Sequence, residues 1–62
     1  MPFSVVFLDG DRVVATTRCG ESLSAAKEHA MSRLPIQRRR SGANQVQVRN
    51  EMGEVVFQYR LS

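Results

Sequence analysis

The chain has 62 residues, with nine Lys+Arg against six Asp+Glu, a net charge of +3, and arginine as every cation except Lys27. That length holds a single small domain, residues 1–62, which buries only about 60% of the surface its unfolded form exposes; a very regular fold or a partner must supply the remaining stability. One cysteine excludes an internal disulfide, Cys19 and His29 alone cannot complete a four-ligand zinc site, and no apolar run nears the ~20 residues of a spanning helix.

Composition is that of a folded domain, 42% hydrophobic and 24% charged, so disorder is not the default. The start carries no basic, apolar leader and the lone thiol suits a reducing compartment, so a cytoplasmic setting is expected. Phe3 to Leu8 (FSVVFL) is β-branched and aromatic, which predicts a strand. Asp9-Gly10 suits the positive φ angles of a type I′ turn, with Arg12 to Arg18 (RVVATTR) as the return strand. That turn pairs Phe7 with Arg12, Val5 with Val14 and Phe3 with Thr16, leaving Val6, Leu8, Val13 and Ala15 on the other face. Gly20 is expected to break the strand.

The period then changes. Ser22 can cap a helix by accepting from an early N–H. Leu23, Ala26, Ala30 and Leu34 recur at helical spacing with Met31 on the flank, while Ser24, Glu28 and Ser32 form a wet side. Pro35 disfavours the α conformation at Leu34, so the helix is expected to end there. A further turn over Ile36 to Arg40, closed by Gly42, is the alternative.

In Gln45 to Arg49 the valines alternate with polar residues, and Asn50 to Gly53 has the residues of a type I turn. Glu54 to Leu61 is the last strand, in a register pairing Val48 with Val55, Val46 with Phe57, Asn44 with Tyr59 and Arg49 with Glu54. A one-residue slip would scatter the apolar face.

The expected fold class is α+β: a ββαββ order giving a four-stranded, mainly antiparallel sheet with one helix packed on one face. Placing the two most apolar strands centrally predicts the order 2-1-4-3. The expected core is Phe3, Val5, Phe7, Val14, Leu23, Ala26, Ala30, Leu34, Val46, Val48, Val55 and Phe57.

Chemistry-bearing residues are few. His29 has no visible partner to make it a general base, and nothing near Cys19 lowers a thiol pKa. Asp9 and Asp11 flank a turn glycine without the further oxygen ligands of a calcium loop. No phosphate-loop, dinucleotide or C-x-x-C motif occurs. The expectation is therefore no enzyme, no cofactor, no metal, no evident small-molecule substrate and no membrane. A single helix leaves one sheet face bare, and a contiguous apolar patch on a small domain marks an interaction site. Val6, Leu8, Val13 and Val56 are the candidate self-association face, acting through that face or an edge strand. The expected function is a non-enzymatic protein-interaction module, a homodimer or the partner of another protein. Arg33, Arg38, Arg39 and Arg40 are the alternative site, a basic cluster for phosphate or nucleic acid. Their structural role would be to complement a helix C-terminus and solvate a loop.

The stretches VVATT, SAAKEHA, IQRRRSGA and GEVVF together resemble a group of short bacterial proteins of unknown function. The resemblance implies a free-standing bacterial cytosolic protein and assigns no residue a role.

Overall fold

The computed structural model describes residues 3–19 and 22–61. It contains β1 (Ser4–Asp9), β2 (Arg12–Arg18), α1 (Leu23–Ser41), β3 (Gln45–Arg49) and β4 (Val55–Arg60). The strands form one antiparallel sheet and the single helix packs on it, an α+β fold in ββαββ order. Gly20, read above as the strand breaker, lies outside the described residues.

The spatial order is β2-β1-β3-β4, not 2-1-4-3. β3 is central because both its faces are needed. Val46 and Val48 are fully buried under the helix, and Gln45 is buried although polar. β4 sits at the edge with all its residues but Phe57 exposed. Total apolar content misled the ordering, because it counted residues that β4 leaves in solvent.

The first hairpin turns on Gly10-Asp11, one residue later than expected, so Asp9 pairs with Arg12 and Leu8 with Val13. Gly10 has φ 63° and Asp11 has a negative φ, the type II′ pattern rather than I′. A bulge then inserts Val14 and shifts the register, pairing Phe7 with Ala15 and Val5 with Thr17. Ala15 is therefore turned to the helix side, where it packs on the core, and not to the open face.

The helix does not stop at Pro35. It continues to Ser41 and closes at Gly42, whose φ of 74° is left-handed. The Gly42 N–H donates to the Arg38 carbonyl at 3.0 Å, the bond of an αL ending, and the Ala43 N–H donates to that of Gln37 at 3.5 Å. Ser22 caps the start, its hydroxyl accepting from the Ala25 N–H at 3.1 Å. Beyond the helix, fully buried Ala43 anchors the chain, and the Asn44 N–H donates to the Leu8 carbonyl at 2.9 Å. The Asn44 side-chain oxygen accepts from the Gly10 N–H, tying the helix exit to the first hairpin turn.

The second hairpin also carries a bulge. Val48 pairs with Phe57 and Val46 with Tyr59, while Arg49 pairs with Val55 and not with Glu54. The extra residue, Val56, moves Val55 off the helix face, where it is 46% exposed instead of in the core. The core proper is Val5, Phe7, Ala26, Ala30, Leu34, Ala43, Val46 and Val48, with Phe3, Val14, Leu23 and Phe57 packed against it partly buried.

Candidate interaction surfaces

The open face follows from the registers. It carries Val13, Thr16 and Arg18 from β2; Ser4, Val6 and Leu8 from β1; Gln45, Gln47 and Arg49 from β3; and Val55, Gln58 and Arg60 from β4. None of these is acidic. Val6 and Leu8 are only 4% and 7% exposed even without a helix above them. Thr16 and Gln47 flank Val6, and Val13 and Gln45 flank Leu8, each pair setting one long glutamine beside the apolar side chain. Arg49 folds back along its own strand, its Nε and Nη2 donating to Gln47 Oε1 at 3.2 and 2.8 Å.

The four expected patch residues are thus divided. Val6 and Leu8 are buried mid-sheet. Val13 (50% exposed) and Val56 (39%) stand on the two opposite edge strands. They do not form one contiguous apolar surface. The exposed apolar area gathers instead along β4 and the adjoining side of α1. Tyr59 and Leu61 there line a groove with Met31, Leu34, Pro35 and Arg38. Val55, Val56 and Tyr59 are each roughly two-fifths exposed or more, and Met31 and Ile36 are exposed on the helix. On the same flank Lys27 Nζ lies 5.3 Å from the centre of the Phe57 ring, a cation–π contact.

The arginines divide as well. Arg33, Arg38, Arg39 and Arg40 all lie within α1 and are exposed, the last three in its final turn, where they complement the helix dipole. At about 100° per residue, Arg33 falls on one side of the buried Leu34 and Arg38 on the other. Arg33 borders the cleft toward β2, and Arg38 borders the groove toward β4. Among the described residues the one ion pair is Arg12 with Asp9, 3.7 Å apart and solvent-exposed, a contact worth little.

Cys19 is half-buried against the core, and its N–H donates to the Phe3 carbonyl at 2.9 Å, so it packs as a small apolar residue. His29 is half-buried in the β2-side cleft with Phe7, Thr17, Arg33 and Gln37, a grouping the sequence reading missed. No three His, Cys, Asp or Glu side chains gather to hold a metal ion among the described residues, and no helix there is long and apolar enough to cross a membrane.

Comparison with known proteins adds no relative. No family model matches the chain, and neither a curated protein nor a solved structure matches it.

Proposed function

We propose that this protein is a non-enzymatic interaction module that pairs with a second copy of itself through β4. The carrying observation is an edge strand with unpaired outer backbone, on which two valines stand exposed and Tyr59 borders an apolar groove. Folded domains guard such edges with charges, proline or short strands. β2, the other edge, is guarded in this way: it reads Arg-Val-Val-Ala-Thr-Thr-Arg and bulges at its centre. β4 is Val-Val-Phe-Gln-Tyr-Arg, and its bulge lies at the start, which leaves Phe57 to Arg60 regular.

The strand is also self-complementary. Antiparallel pairing about a two-fold axis at Gln58 sets Phe57 opposite Tyr59 of the partner subunit, twice, on the helix-covered side. Aromatic cross-strand pairs of this kind contribute roughly 0.2–1 kcal/mol each beyond alanine. The result is an eight-stranded sheet that removes the vulnerable edge.

The test is a pair of charge insertions read by light scattering after gel filtration. Val56→Lys blocks β4 and yields a folded monomer, whereas Val13→Lys on the β2 edge leaves the dimer intact. Equal masses for the two variants would refute the assignment.

A second reading rests on a different observation, the open sheet face with Arg18, Arg49 and Arg60 and no carboxylate. That face suits the phosphates of a single-stranded nucleic acid. Engaging three phosphates gives a logarithmic salt slope of about −2. A slope near zero, or one unchanged in Arg49→Gln, would remove this reading.

A further inference from the structure

We infer that the cleft between α1 and β2 is a binding site for a phosphate-class oxyanion, whether free phosphate or a phosphomonoester. It is an open cleft lined by Phe7, Thr17, His29, Arg33 and Gln37, with a volume of about 220 Å³. That is smaller than the ~300–1,000 Å³ of clefts that hold drug-sized ligands, and it suits a small anion.

The arrangement comes directly from the fold. His29, Arg33 and Gln37 are four residues apart, so they form one stripe along the β2 side of the helix. Thr17 faces them because the bulge at Val14 turns it to the helix side, where it pairs with Val5. Phe7, almost wholly buried on β1, makes an apolar floor that keeps water from solvating the base of the site.

The chemistry of the lining is one-sided. Arg33 offers only donors, in a fork matched to two oxygens of a phosphate. The Gln37 carbonyl oxygen accepts from the Ser41 hydroxyl at 3.3 Å, which leaves its NH₂ as the free end. His29 has at least one ring N–H to give, and the Thr17 hydroxyl can donate from the strand opposite. No carboxylate lines the cleft. Asp9, the acid on the same face of β1, is not among the lining residues and faces Arg12 at 3.7 Å. Donors converging from a helix on one side and a strand on the other fit a tetrahedral oxyanion better than a planar carboxylate. The site lies across the molecule from β4, so its test is independent of self-association.

The experiment is a ¹⁵N-detected NMR titration of the intact chain with inorganic phosphate, methyl phosphate and acetate at matched ionic strength. The expected result is saturable shifts at Thr17, His29, Arg33 and Gln37 with both phosphates and weaker binding of acetate. Tighter binding of methyl phosphate would mark an ester as the natural ligand; tighter inorganic phosphate would mark the free ion. Arg33→Gln, an exposed position that the fold does not need, should weaken binding about tenfold, the usual cost of a lost charge-assisted bond. Gln37→Ala should weaken it less. Shifts that rise linearly without saturating, that spread equally to Arg18, Arg49 and Arg60, or that survive Arg33→Gln unchanged would overturn the site.

Discussion

Replacing Pro35 with alanine should stabilise this protein. Pro35 lies inside α1, with helical residues on both sides. Its ring carries no N–H, so the Met31 carbonyl lacks the bond that residue 35 would normally donate. Proline in a helix interior is about 3 kcal/mol less favourable than alanine in host–guest series. The native helix accommodates it, so part of that cost is already relieved by local adjustment. The restored hydrogen bond alone contributes about 1 kcal/mol. The lost ring subtracts little, because Pro35 is exposed. A net gain of about 2 kcal/mol follows, which for a domain of this size raises Tm by roughly 8–16 °C. The assay is thermal unfolding by circular dichroism at matched protein concentration, since self-association couples to stability. Helical signal should be retained or rise. If α1 ended at Leu34, the substitution would leave Tm unchanged or lower it; that result would refute a helix running through to Gly42.

The other predictions concern the elements that hold the surfaces in place. Gly42→Ala should lower stability by about 1–2 kcal/mol through left-handed strain alone, because the added Cβ would meet only Asp9 Oδ2 at an ordinary 3.7 Å; denaturant unfolding measures it, and an unchanged midpoint would count against the left-handed Gly42 ending. Ser22→Ala should cost about 1 kcal/mol by freeing the Ala25 N–H, read by the same method. Phe7→Ala should remove about 3–5 kcal/mol, most of the stability a chain this short possesses, and leave it largely unfolded by near-ultraviolet and far-ultraviolet dichroism. Lys27→Met keeps the packing stem over Phe57 while removing the charge, so a loss beyond about 1 kcal/mol would show that the cation–π contact is undervalued here.

The helix start, the four strands and most of the core were legible because they depend on local chemistry: a capping serine, β-branched runs, apolar residues at helical spacing. The misreadings share one cause, which is that neighbours in space overrode a local rule. Pro35 has a real preference against helix. The Gly42 ending, buried Ala43 and the Asn44 contact to Gly10 are satisfied only if the helix runs on to Ser41. Gln45 and Gln47 made β3 read as an outer strand, yet they occupy the open face of a central one. The bulges at Val14 and Val56 leave no mark in an alternating pattern, and each moves a neighbour, Ala15 or Val55, to the opposite face. The surfaces suffered most. Arg33 and the run Arg38 to Arg40 read as one cluster in the sequence, whereas helical periodicity turns Arg33 and Arg38 to opposite flanks. The spacing of His29, Arg33 and Gln37 was visible from the start. Their meeting with Thr17 depends on a bulge that was not.

Sedimentation equilibrium of the unaltered chain at low and high salt tests the proposed pairing most directly. Pairing through β4 predicts a mass of twice the 7.0 kDa chain. It also predicts tighter association at high salt, because each copy carries a net charge of +3 and salt screens their mutual repulsion. A mass of 7.0 kDa at both salt concentrations would contradict it, and would leave the open arginine face as the surface to pursue.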